Sequence, residues 1–385
     1  MSKYDFIHKS LNDRHNGQLL RTLRTIKPGQ GMEIEVNGRR MLNFCSNDYL
    51  GLSKHPLLHQ RAVEFMDLYG SGSTASRLVC GTYECMDQLE KKIAAFKGSE
   101  TALILNSGYQ TNVTLLPALA DRETLILSDE LNHNSIIQGS LLARCHVQRF
   151  RHNNPDHLRE LLGNAADNKT TSRILIITES VFSMDGDQSD IDTLINLADE
   201  FQALLIVDEA HATGVLGPNG KGLTFQKEVD LKMGTFGKGA GSFGAYIACS
   251  KEIRDYLINF CYGFIYTTAL PPSIIGSVDA SLELIPEMDR QRQELLEKAD
   301  LFRDAMHKLG LNTGASTTQI IPVIIGDERE TVALSAWLEK NGILATAFRT
   351  PTVEPGEARI RFSFSSLHKL EHIEDLIDII SRWCR

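Results

Sequence analysis

Between residues 84 and 260 short apolar runs alternate with amphipathic stretches, and no other feature limits the possible folds so strongly. Ala102–Leu105, Thr124–Leu127, Val147–Phe150, Ile174–Ile177 and Ala203–Val207 are too short for helices. They are also apolar without polar alternation, which is the pattern of strands buried on both faces. Met86–Lys97, a stretch from Gly108 to about Ala120, Asn134–Arg144, Asp156–Leu162 and Ile191–Phe201 lie between or after them with helical spacing. Parallel strands need long crossovers, and helices of this length supply them. The expected fold is α/β, with a mostly parallel sheet covered by helices. Ala245–Cys249 reads as a further strand.

A second rhythm follows. Pro271-Pro272 can open a helical stretch, because proline suits the first turn, and Pro286 should divide it. Ile320–Ile325 reads as a strand, and Glu328–Lys340 as a helix capped by Asp327 and stopped at Gly342. Ile343–Phe348 and Ala358–Phe364 read as strands, and Leu370–Trp383 as a closing helix. The order points to a small α+β domain, which the helix and strand pair of the first residues could join. The expected boundaries are 1–46 for that N-terminal segment, 47–284 for a large domain and 285–385 for the small one.

Lys and Arg number 40 against 49 Asp and Glu, a formal charge of −9, so no basic nucleic-acid face is expected. No apolar run nears the ~20 residues of a membrane helix. The opening MSKYDFIHKSLNDRHNGQLLRTL lacks the apolar segment of a secretion signal. Seven cysteines, an odd number without CxxC spacing, argue against a zinc ribbon or a redox dithiol. These points favour a cytoplasmic protein with mostly buried thiols and no metal.

Three motifs are weak. GSGSTA at 70–75 fits a dinucleotide fingerprint, but a helix precedes it where a strand is required. GAGSFG at 239–244 fits too, but a strand follows where a helix is required. His368, Glu371 and His372 match a zinc-protease pattern without room for a third ligand downstream. They are expected on a solvated first helix turn.

The strand ends carry the chemistry. Ala203–Asp208 is an apolar strand ending in an acid, with His211 three residues on. Ligands in open α/β sheets sit beyond such carboxyl ends. An acid there can face a cationic ring nitrogen, as pyridoxal phosphate requires of its partner. Lys238 stands between Gly237 and Gly239. A buried lysine is costly, and burial frees its amine for Schiff-base chemistry. Asn106-Ser107-Gly108-Tyr109 follows a strand and opens a helix, where a phosphate is held by N–H groups and the helix dipole. Asp129–His133 and Ser180–Asp187 follow two further strands. Independent surface turns would rarely place all five together.

Taken together, Asn43–Leu52, Val181–Asp187, Val207–Val215, Thr235–Gly239, Tyr266–Thr268 and Arg349–Val353 resemble the α-oxoamine synthases among fold-type-I pyridoxal-phosphate enzymes. The likeness runs from about Arg21 to Leu376. It implies a large cofactor-binding domain with a smaller α+β domain, and a homodimer with shared active sites. The nearer likeness is to the member that condenses L-alanine with a pimeloyl thioester carried by CoA or acyl carrier protein. Ser76–Gly81 and Asp129–His133 are also similar to the sister enzyme that takes glycine and acetyl-CoA, and Ser73–Ser76 stands where a glycine-richer run is common. The resemblance implies that Lys238 binds the cofactor covalently and moves the Cα proton. Asp208 would pair with the ring nitrogen, His133 would stack on the ring, and His211 would meet its phenolic oxygen. Gly108, Tyr109, Ser183 and Thr235 would hold the cofactor, and Thr268 would reach the neighbouring subunit's phosphate. Arg349 would bind the amino-acid carboxylate, with Arg21, Asn47 and Thr352 on the acyl side. A catalytically silent subunit would lack Lys238.

Overall fold

The alternation closes into a seven-stranded sheet in the computed structural model, which describes residues 2–17, 19–166, 168 and 170–385. Its strands are β1 (Thr101–Leu105), β2 (Thr124–Asp129), β3 (His146–Phe150), β4 (Arg173–Glu179), β5 (Leu204–Asp208), β6 (Leu231–Thr235) and β7 (Ala245–Cys249). They lie in the order β1-β7-β6-β5-β4-β2-β3. β7 is antiparallel to both neighbours, and the other pairings are parallel.

The unbroken apolar runs serve two faces, because successive side chains point to opposite sides of a strand. Ile126, Leu175, Ile177 and Ile206 join a core with Leu115 and Ile136 of the helices Gly108–Leu119 and Asn134–Leu142. Leu125, Leu127, Ile176, Leu205 and Val207 face the other way, against Leu158 and Leu194 of the helices Pro155–Ala166 and Ile191–Glu200. β6 is the strand that hydropathy does not reveal, because Lys232 and Gly234 interrupt it. Gly234 is needed there: a Cβ would sit 2.3 Å from Tyr246 Oη of β7.

Most C-terminal elements form as expected. Asp327 accepts from the N–H groups of Arg329 and Glu330 at 2.8 and 2.9 Å and opens Glu328–Lys340. Ile343–Phe348 is not one strand. Ile343–Leu344 pairs in parallel with Arg39–Asn43, while Thr346–Phe348 pairs with Ala358–Ser363. The break lets one segment stitch the N-terminal strands to the C-terminal sheet. Phe44 and Tyr49 accordingly share a core with Phe302, Ile360, Phe362, Phe364 and Leu376.

Two further expectations are overturned. His368 is not on a solvated turn: it is 1% exposed and stacks on Phe44 at 4.1 Å, because its apolar ring faces complete that core. The thiols are not mostly buried either. Cys85, Cys249 and Cys261 are, but Cys80 and Cys384 are exposed, with Cys45 and Cys145 between. Cys80 lies in a surface loop and Cys384 follows the last helix, so no packing layer covers them. Among the described residues no helix is long and apolar enough to cross a membrane.

Candidate active site

The site forms beyond the carboxyl ends of β4, β5 and β6, closed by segments from both ends of the chain. Asp208 ends β5 and is 5% exposed. Its Oδ1 accepts from the Ala210 N–H and its Oδ2 from Asn112 Nδ2, both at 2.8 Å. β4 ends beside it in Glu179, whose Oε1 accepts from the His133 N–H at 2.6 Å. Burial and the adjacent Asp208 carboxylate push the Glu179 acid well above the usual range. His133 caps the helix Asn134–Leu142, and burial lowers its pKa; Asp208 opposes that and Lys238 adds to it.

Lys238 sits on the loop between β6 and β7, and its Nζ lies 2.7 Å from His211 Nε2. Burial pulls its pKa down to about 8 despite the carboxylates of Asp208 and Glu179. His211 is 4% exposed, and burial with the nearby Lys238 charge holds it well below the ordinary histidine range. Its Nδ1 lies 2.6 Å from Tyr49 Oη. Tyr49 donates to Asn47 Oδ1 at 3.1 Å, so the His211 Nδ1–H must donate to Tyr49 and Nε2 is left to accept from Lys238. Burial pushes the Tyr49 phenol up to about 12. Asn47 Oδ1 also accepts from Arg361 Nη2 at 3.1 Å. Arg361 comes from the strand Ala358–Ser363, where Ile360 and Phe362 face the core. Its Nε is buried with no hydrogen-bond partner among the described residues.

Gly108 opens its helix beside Thr235: a Cβ on Gly108 would lie 3.6 Å from Thr235 Cβ. First-turn N–H groups lack partners within a helix, so this corner offers donors to an anion. Ser107 caps the helix by accepting from the Gln110 N–H. Ser183 lies on the turn 181–188, which is fastened by His152 between Asp129 and Asp187.

The structure therefore gathers Asp208, Lys238, His133, His211 and Asn47, with Gly108 and Thr235 adjoining each other at the helix start. Tyr109 is half exposed, and Thr268 is exposed on a loop bridged to Ser76. Arg21 and Thr352 are exposed as well. Arg349 lines a different cleft of about 800 Å³ with Asn16, Asp327, Glu328 and Arg329. The guanidinium at Asn47 belongs to Arg361, which sequence reasoning missed. Its signal was present: Arg359 and Arg361 alternate within an apolar strand, where buried charge is costly. Tyr49 lay inside a motif already singled out. Glu179 ends β4 as Asp208 ends β5 and carried the same signal unread, whereas Asn112 gave none.

Comparison with known proteins adds findings of three kinds. Residues 39–380 match the family described as aminotransferase class I and II. A protein of Desulfosudis oleivorans named putative 8-amino-7-oxononanoate synthase is 55% identical over 100% of both chains. An 8-amino-7-oxononanoate synthase of Gluconacetobacter diazotrophicus is 44% identical, covering 99% of this chain and 97% of its own. Among solved structures, Sphingomonas wittichii serine palmitoyltransferase superposes with a TM-score of 0.91 at 27% identity, over 99% of this chain and 97% of that one. The 8-amino-7-oxononanoate synthase of Francisella tularensis gives 0.76 at 28%, over 89% and 97%.

Proposed function

The chain belongs to the aminotransferase class I and II family, and from that premise we propose that it joins L-alanine to a pimeloyl thioester. The product is 8-amino-7-oxononanoate, formed with release of carbon dioxide and the thiol carrier, in biotin synthesis. The cofactor is pyridoxal 5′-phosphate. One observation carries the reading: a buried carboxylate, Asp208, ends β5, and the Lys238 amine, held 2.7 Å from His211 Nε2 and lowered in pKa by burial, lies near enough to feel its charge.

The residues suit that group. When bound, it withdraws electrons from the amino-acid Cα, provided its ring nitrogen keeps its proton. Asp208 would hold that proton, with its own orientation fixed by Ala210 and Asn112. Gly108, Tyr109, Ser183 and Thr235 would hold the phosphate and ring, and His133 would cover one ring face. His211 would meet the phenolic oxygen and is kept from charging by burial. With a pKa near 8, Lys238 Nζ is unprotonated often enough to take the Cα proton near neutral pH and return it later.

The carboxylate of alanine would meet Arg361, whose buried Nε has no acceptor among the described residues and whose Nη2 is already aimed by Asn47. A guanidinium grips a carboxylate through two parallel hydrogen bonds, which orients the Cα–H. Arg21, Thr352 and Arg349 would line the path of the acyl thioester, whether carried by CoA or acyl carrier protein. The active form would be a homodimer. Leu78 and Val79 follow Ser76, Tyr262 and Tyr266 precede Thr268, and the Ser76–Thr268 bridge joins the two segments; all four side chains are exposed, and exposed apolar groups suit an interface.

Borohydride reduction and peptide mapping should place the cofactor on Lys238; label on another lysine would sink the assignment. A product assay pairing alanine, glycine and serine with pimeloyl, acetyl and succinyl thioesters should favour alanine with pimeloyl. Preference for glycine with acetyl-CoA would make this the sister condensation. Sedimentation at micromolar concentration should give a dimer.

A further inference from the structure

Asp208 and His133 hold separate tasks in that reading, yet a directed chain of hydrogen bonds joins them. Asn112, 1% exposed on the helix Gly108–Leu119, donates through Nδ2 to Asp208 Oδ2 at 2.8 Å and to Ser135 Oγ at 3.0 Å. Its Oδ1 is buried without a partner among the described residues. The amide cannot turn over, since its oxygen would then face the Asp208 carboxylate. Ser135 Oγ therefore accepts from Asn112, and its own hydrogen is left for His133 Nδ1, 2.7 Å away. The Ser135 main-chain N–H reaches that same nitrogen at 3.2 Å. A ring nitrogen that accepts two hydrogens carries none. The ring hydrogen must be on Nε2, which has no acceptor among the described residues.

We propose that Asn112 and Ser135 are positioning residues that fix His133 as the Nε2–H tautomer, so that the Asp208 carboxylate decides which ring nitrogen donates into the cleft. A donor there suits a carbonyl or carboxylate oxygen of the substrates; an acceptor would repel it. The catalytic consequence rests on the function proposed above, whereas the tautomer is a property of the chain. Charged and titratable groups facing the ring are Asp208, Lys238 and Glu179, whose carboxyl takes the His133 N–H.

The test is nitrogen NMR on isotope-labelled histidine, in the holoenzyme and after removal of the cofactor, with the His133 signal identified by its loss in His133→Gln. Wild type should show the Nε2–H pattern. Ser135→Ala should give a mixture of tautomers, and so should Asn112→Ser, which shortens the bridge. Turnover should fall about tenfold in each, the scale of one lost hydrogen bond, while the KM for alanine changes less than about threefold. Ser135→Thr keeps the hydroxyl and should restore both readouts. An Nδ1–H pattern in wild type would overturn the proposal, as would an unchanged tautomer in both variants. A changed tautomer with unchanged turnover would overturn its catalytic part. The cofactor-free spectra test the relay even if the substrate panel rejects the condensation.

Discussion

Replacing His152 with glutamine tests how the loop bearing Ser183 is held. The imidazole spans two carboxylates, with Nδ1 2.9 Å from Asp129 Oδ1 and Nε2 2.8 Å from Asp187 Oδ2. Burial alone would lower its pKa, but the hydrogen bonds and charges of Asp129 and Asp187 outweigh it and push the group from 6.5 up to about 10. In His152→Gln the volume is similar and the charge is gone. Asp129 keeps the N–H groups of Leu131 and Asn153, and Asp187 keeps Asn153 Nδ2. A shift of ~3.5 units at ~1.4 kcal/mol each is nominally about 5 kcal/mol. The side chain is 21% exposed, so solvent screening reduces the expected loss to about 2–3 kcal/mol. The folded pKa lies above the unfolded one. The contribution is therefore complete below about pH 6.5 and is lost as pH rises toward about 10. Urea midpoints of wild type and variant should differ most at about pH 6 and converge by about pH 10. A gap of equal size at both ends, or no gap at the acid end, would refute the charged clamp.

Three further outcomes are expected. Arg361→Lys should weaken alanine binding by about tenfold or more while Arg349→Lys changes it little, read by spectral titration; the reverse order would return the carboxylate site to Arg349. Lys97→Met should cost about 3–5 kcal/mol, because Glu209 would be left charged and fully buried, while Lys97→Met with Glu209→Leu recovers much of it; a single-variant loss under about 1 kcal/mol argues against the pair. Asp208→Asn should keep the cofactor but lower turnover by ~100-fold or more, about 3 kcal/mol of transition-state stabilisation; near-normal turnover would remove Asp208 from its role.

The large sheet was legible because parallel strands buried on both faces leave continuous apolar runs, and the helices between them keep their period. β6 escaped, since Lys232 and Gly234 answer to neighbours that only the folded sheet brings together. The strand-end residues Asp208 and His211 were legible because position after a strand already implies the ligand edge. Glu179, at the end of β4, carried the same signal unread, and Asn112 carried none. Asn112 looks like any polar helix residue until its distance to Asp208 is known. Arg349 was singled out because its neighbouring motif was distinctive, whereas Arg361, whose guanidinium reaches Asn47, lies in a strand that otherwise reads as core. His368 misled because a charged-looking motif can still supply an apolar ring face to a core.

The antiparallel strand β7 has a consequence for chain slack. A parallel successor to β6 would begin at the opposite edge of the sheet, after a crossover of a dozen or more residues. With β7 reversed, the chain returns on the same edge, and Lys238 is tethered three residues past the end of β6 and seven before β7 begins. Within that span Phe236 N bonds Gly244 O, Ser242 N bonds Phe236 O and Gly241 N bonds Lys238 O. Gly241 itself is wedged against the segment after Asn47, where a Cβ would meet Ser53 N at 2.5 Å. The main chain at Lys238 thus has no spare length, and every excursion of the amine must be made by its four methylenes. An evolving or engineered relative could lengthen the surface loops elsewhere more freely, but one residue added between Thr235 and Ala245 would shift the reach of the amine against Asp208 and His211, which the rest of the fold holds in place.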